Sequence, residues 1–223
     1  MAADPLSAEE VRALSIFPLP AATLLPGAVL PLHVFERRYR DLVRDALAQT
    51  KTLAVARLKP GFESDYEGRP PVYDVCGAGR ILEHREHRDG RYDILLEGLA
   101  RVRIVRELPP ATLYRVVHGE VIHDSVLDAG VAAALETKIR ELWGTLGPEL
   151  PESLRDLGQV IRGVEGAGRL ADRLGAVFAG DAELGQALLC EPDPGERLRL
   201  VAERLQAQVD ALEPTPKSRA RWN

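Results

Sequence analysis

IFPLPAATLLPGAVLPLHVFERRYRDLVRDAL, residues 16–47, changes character halfway, and that change decides the fold. The first half is apolar and carries Pro18, Pro20, Pro26 and Pro31. Proline lacks the amide hydrogen and clashes with the preceding turn, so a regular helix is barred there. Pro26-Gly27 signals a turn between two short extended pieces, Leu14–Leu19 and Val29–Val34. The second half takes the helical period: Phe35, Tyr39, Leu42, Val43, Ala46 and Leu47 make one apolar stripe, with arginines and aspartates mostly opposite.

Downstream, residues 52–58 (TLAVARL) read as a buried strand, and the charged stretch 59–71 as a surface loop with two glycines and three prolines. Residues 72–87 and 91–107 form the clearest hairpin, joined by Asp89-Gly90, a dipeptide that accepts positive φ. On the return strand Val102 and Ile104 alternate with Arg101 and Arg103, which predicts one buried and one wet face. Gly98 interrupts this strand as a bulge or barrel corner. Residues 113–122 supply a last strand. Five or six strands with one helix predict a small closed or nearly closed barrel.

After Asp124 the period switches to helical. Apolar spacing predicts helices over 131–146, 154–161 and 170–178, a fourth N-capped by Asp181, and a fifth opened by Asp193-Pro194. These form a helical bundle with short connections. The expected division is a β-barrel subdomain at 12–123 and a helical subdomain at 126–213, with flexible tails at 1–11 and 214–223. With no Gly/Ser linker between them, the two parts are expected to pack on each other.

At 223 residues and net charge −5 the chain has an ordinary soluble composition. Residues 1–123 hold 17 Lys+Arg against 17 Asp+Glu, leaving 12 against 17 for the rest. Neither half has the basic surface that neutralises phosphates, which argues against nucleic acid. The acidic N-terminus is unlike a signal peptide, and no apolar run approaches the roughly 20 residues of a membrane span, so a cytoplasmic location is expected. Cys76 and Cys190 stand far apart and are expected as reduced thiols, Cys76 as a small buried residue.

A search for chemistry finds no constellation. His84 and His87, three apart on a strand, point to opposite faces; His118 and His123 do likewise, so no metal site is assigned. Gly77-Ala-Gly79 lacks the third glycine of a dinucleotide fingerprint, and the chain has no phosphate loop or nucleophile elbow. Hence no catalytic residue, cofactor or enzyme activity is expected.

The residues FPLP, LLPG and LPLHVFERRY together resemble the opening of the Lon protease N-terminal, substrate-binding domain family. The matching positions include Pro26, Gly27, His33, Phe35, Glu36, Arg38 and Tyr39. Gly79, Arg80, Asp89, Gly90, Gly98 and Arg101 match its later strand and hairpin signals, and the resemblance runs to about residue 213. It implies an α+β fold, a PUA-like pseudo-barrel followed by the helical bundle, and a recognition domain standing alone, without motor or protease. Glu36, Arg38 and Tyr39 are read as structural, Glu36 in the first helical turn and Arg38 paired with it or with barrel backbone. Arg80 and Arg101, on adjacent strands, are expected to anchor similar hydrogen-bond networks.

The function implied is recognition of unfolded or damaged polypeptide segments in protein quality control, with a protease or chaperone as a further partner. Leu24, Leu25, Val34 and Phe35 are the candidate binding patch, since residues 20–35 are too apolar for an ordinary loop. The competing reading has them close the barrel and pack on the helix. PUA-like barrels also occur in RNA-binding proteins, which makes RNA the alternative ligand, opposed by the charge balance.

Overall fold

The structure is a computed structural model that describes residues 5–146, 163–164, 166–178 and 180–212. Six strands, β1 (Leu14–Leu19), β2 (Val29–Val34), β3 (Thr52–Arg57), β4 (Val75–Glu86), β5 (Tyr92–Glu107) and β6 (Arg115–Ile122), form one mixed sheet. Its order is β2-β5-β4-β3-β1-β6, and β5 pairs with β6 as well. The extra pairing closes β5, β4, β3, β1 and β6 into a ring and leaves β2 outside it. The long β5 makes this possible: its first part, to Glu97, pairs with β2, and its last part, from Arg101, pairs with β6.

Between the two parts the register slips. Ala78 faces Ala100 but Gly79 faces Gly98, so the β5 strand bulges at the expected corner. β1 and β3 are parallel, a pairing that needs a crossover, here supplied by β2 and helix α2 (Arg37–Leu47). β3 is buried at every residue, as a run without alternation predicts.

The bounds of β1 and β2 are those expected, but α2 starts two residues after Phe35. Glu36 is extended at ψ 137° and serves as the N-cap, so Phe35 lies outside the helix. The stripe that remains, Tyr39, Leu42, Val43 and Ala46, is buried against Phe17, Leu53, Val55, Ile81, Ile94 and Leu96. A second apolar cluster fills the ring with Leu14, Ile16, Ala54, Cys76, Val102 and Val117.

Residues 8–11, expected in a flexible tail, belong to a short helix α1 (Ala8–Arg12) whose Val11 reaches the ring core. A capping box holds it: Ser7 N donates to Glu10 Oε2 at 2.8 Å and Glu10 N to Ser7 Oγ at 3.2 Å. Thr52 Oγ1 donates to Glu10 Oε1 at 2.6 Å, which fixes α1 to the start of β3. These bonds outweigh the burial of the Glu10 carboxyl and lower its pKa to about 2.

Helices α3 (Ala129–Leu146), α4 (Ala167–Val177), α5 (Ala182–Cys190) and α6 (Pro194–Leu212) follow. Asp181 Oδ1 accepts from Leu184 N at 3.0 Å and Asp193 Oδ1 from Gly195 N at 2.7 Å, the two N-caps expected from the sequence. Ile139, Leu170, Leu174, Leu188, Leu198 and Leu205 form their shared core, which Leu25 and Val75 enter from the strand half. The helix expected over 154–161 lies outside the described residues.

Candidate functional site

The segment between β1 and β2 runs close over the sheet. A Cβ on Gly77 would lie 1.8 Å from the Leu24 carbonyl oxygen, and one on Gly98 would lie 2.1 Å from that of Leu25. Only glycine admits that approach. The result is that Leu24 enters the core under α2 while Leu25 enters the helical core, each 2% exposed or less. Val34 is buried beside Leu24. Three of the four candidate patch residues are therefore buried in the cores under α2 and among the helices, because the apolar excess in this stretch is used in packing. Phe35 alone faces solvent, at 62% exposure.

The E-x-R-Y motif folds into a local network. Arg38 Nε donates to Glu36 Oε2 at 3.0 Å, and Tyr66 donates its hydroxyl to Glu36 Oε1 at 2.9 Å. Arg38 Nη2 donates to the Tyr66 carbonyl at 3.1 Å, so its backbone partner belongs to the 59–71 loop instead of the barrel. Tyr39 is buried against Phe17, and desolvation pushes its hydroxyl up to about 12. Arg115 Nη1 donates to Pro70 O at 2.7 Å and straps the far end of the same loop. Pro18, Arg38, Tyr66, Leu113 and Arg115 line a concavity of about 520 Å³ under it.

Arg80 and Arg101 serve separate networks. Arg80 Nη2 lies 3.3 Å from Glu10 Oε1, on the α1 side. Arg101, expected on a wet face, is 4% exposed and reaches the helices. Its guanidinium donates to Asp172 Oδ1 and, through Nε, to Leu188 O at 3.2 Å. Fully buried Arg197 lies 3.5 Å from the same carboxylate through Nε and clamps Asp124 with two bonds of 2.9 and 2.6 Å. Burial raises the Asp172 pKa, and the charges of Arg101 and Arg197 oppose that rise. Beside this junction a cleft of about 820 Å³ opens between α1, β6 and α4, lined by Leu6, Val11, Leu99, Val121 and Arg169.

Part of the sheet leaves the ring. Among the described residues no strand pairs with the outer edge of β2, nor with β4 beyond Ile81 on the side away from β5. β2, the first half of β5 and the last half of β4 thus make a three-stranded extension with two free edges. Leu30, Leu32, Val34, Ile81, Ile94 and Leu96 turn its inner face onto the core under α2. Alternation sends Val29 to the outer face, 47% exposed, and the chain leaves β2 through Phe35; Leu82, at the second β4 irregularity, is 49% exposed. The hairpin tip is the one expected, with Gly90 at φ 79°, and Arg40 of α2 donates to Asp89 O at 2.9 Å.

Two histidines meet at this tip. His33 is paired with Asp93 across β2 and β5, with Nδ1 2.6 Å from Oδ1, and His87 Nε2 lies 2.6 Å from the other carboxylate oxygen. Spacing along single strands misses this group, since it is made between strands; only the β2–β5 register reveals it. Cys76 is fully buried, its thiol donating to Val102 O at 3.5 Å, and desolvation pushes it up to about 12. Cys190 is a free, exposed thiol.

The ring with its outlying strand and flanking helices is the fold of a substrate-binding domain. Residues 13–207 match the family described as the ATP-dependent protease La (LON) substrate-binding domain, and the chain belongs to that family. It is similar to the N-terminal domain of a Mycobacterium avium complex Lon protease, with a TM-score of 0.68 at 19% identity, over 87% of this chain and 98% of that one. A Lon N-terminal domain protein from Xanthomonas campestris is 28% identical with a TM-score of 0.54, over 91% and 99%. Lon protease 2 of Myxococcus xanthus is 28% identical over 92% of this chain and 25% of its own length. The Lon protease of Anaeromyxobacter dehalogenans is likewise 28% identical, over 95% of this chain and 25% of its own. The chain thus spans about a quarter of these relatives, the substrate-recognition part. No helix among the described residues is long and apolar enough to cross a membrane.

Proposed function

We propose that the chain is a non-enzymatic polypeptide-recognition module that holds unfolded or damaged segments, acting in quality control beside a protease or chaperone. The observation that carries this reading is the three-stranded extension, whose two edges have no strand partner among the described residues and flank exposed Val29, Phe35 and Leu82. An unfolded segment offers apolar side chains and unsatisfied backbone amides, and a free edge with an apolar face meets both needs. Pro31 removes one amide from the β2 edge, so backbone pairing there is partial, and Phe35 supplies the apolar anchor. Of the four residues first singled out, Phe35 keeps the role. The ring is proposed to be PUA-like, and residues 12–123 and 126–213 to be two subdomains packed across the Arg101–Asp172 contact.

The test is retention on the immobilised chain of a reduced and alkylated, permanently unfolded protein against its native form. Preferential retention of the unfolded form, reduced at least fivefold by Phe35→Asp together with Val29→Asp, is the expected result. Equal retention of both forms, or capture of RNA in preference to polypeptide, overturns the reading.

A further inference from the structure

We propose that His33, His87 and Asp93 form a binding site for a zinc-class divalent cation at the tip of the extension. One ligand atom from each of the three, a ring nitrogen of His33, a ring nitrogen of His87 and an Asp93 carboxylate oxygen, lies within 4.8 Å of the other two. Two imidazoles and one carboxylate suit borderline ions such as Zn²⁺, and disfavour Mg²⁺ and Ca²⁺, which take oxygen ligands. With metal–ligand bonds of about 2.0–2.2 Å, ligand atoms around a tetrahedral ion stand about 3.4 Å apart. The present 2.6 Å contacts therefore need to widen by less than an ångström for each ring.

The scaffold holds the rings for this task. His33 sits directly opposite Asp93 on neighbouring strands, so their approach is fixed by the register. His87 begins the hairpin turn, where its amide donates to Arg91 O at 2.8 Å and its carbonyl accepts from Gly90 N at 2.9 Å. The Phe35 ring stacks on His33 at 6.3 Å between centroids, and the two imidazoles meet edge to face at 6.0 Å. Side-chain exposures of 48%, 29% and 49% for His33, His87 and Asp93 leave room for entry and for water in the fourth position. Arg91 opposes the ion, with Nη1 3.5 Å from His33 Nε2, but Asp89 holds its Nε at 2.7 Å and neutralises part of that charge. The inference does not depend on what the extension recognises.

Zinc chloride is titrated calorimetrically into the full chain carrying Cys190→Ser, which removes the exposed thiol as a competing ligand. One ion per chain is expected, with affinity reduced at least tenfold in each of His33→Ala, His87→Ala and Asp93→Asn. His84→Ala and His118→Ala should leave it within twofold, and Arg91→Ala should raise it. In the parent chain, ¹⁵N resonances of the His33 and His87 rings should shift on zinc addition while those of His84, His118 and His123 stay; this reading holds even if a variant fails to fold. Absence of saturable binding, ring shifts elsewhere, or affinity indifferent to the three substitutions overturns the proposal.

Discussion

Two charged clusters stand in contrast: the junction of Arg101, Asp172, Arg197 and Asp124, and the tip of His33, His87 and Asp93. At the junction, three of the four side chains are 5% exposed or less, and the contacts run between strands and helices. At the tip, the side chains are about a third to a half exposed, and the contacts stay within one hairpin and its neighbour. Burial makes each junction charge dependent on its partner, because an unpaired ion in a low-dielectric interior is costly. Water relieves the tip of that dependence, which leaves its groups free to exchange partners. The first cluster joins strands to helices; the second stands open to solvent.

The contrast is broken most directly at Asp172. Asp172→Ala leaves Arg101 and Arg197 buried without their shared carboxylate and should cost about 3–5 kcal/mol in urea unfolding. The double replacement Arg101→Met with Asp172→Leu should cost clearly less than that single change. A second large effect is expected at Leu24, 0% exposed, where Leu24→Ala should lose about 2–5 kcal/mol by the same measurement.

A smaller, pH-dependent effect belongs to Glu10. Its folded pKa of about 2 lies below the unfolded value near 4.5, so its stabilisation is present above pH 4.5 and lost as pH falls toward 2. Glu10→Gln should therefore lower the melting temperature at pH 6 and match the parent near pH 2. Smallest of all, Phe35→Ser should change stability by no more than about 0.5 kcal/mol, as for an exposed position, while weakening retention of unfolded protein. A large loss of stability at Phe35 would erase the distinction between tip and junction.

Much of the fold could be read from local signals. The prolines of residues 16–31 excluded helix, Asp89-Gly90 placed the hairpin turn, Gly98 marked the corner, and Asp181 and Asp193 announced two helices. Signals that depend on distant partners were not legible. Arg101 alternates like a wet residue, yet it is buried, because Asp172 arrives 71 residues later to receive it. Phe35 keeps helical spacing with Tyr39, but the extended backbone of Glu36 excludes it from the helix. The histidine tip is hidden for the same reason, since no periodicity within β2 or β4 encodes their register with β5.

Leu24 and Leu25 are neighbours in sequence, yet their side chains are embedded in different cores, one beneath α2 and one among the helices. Neither belongs to the cluster that fills the ring, so the two side chains pin the segment to the outside of the ring wall, like a staple with two prongs. The segment is seated directly on the strands at Gly77 and Gly98, where a side chain would leave its backbone no room. One short segment thus ties the packing under α2 to the packing among the helices.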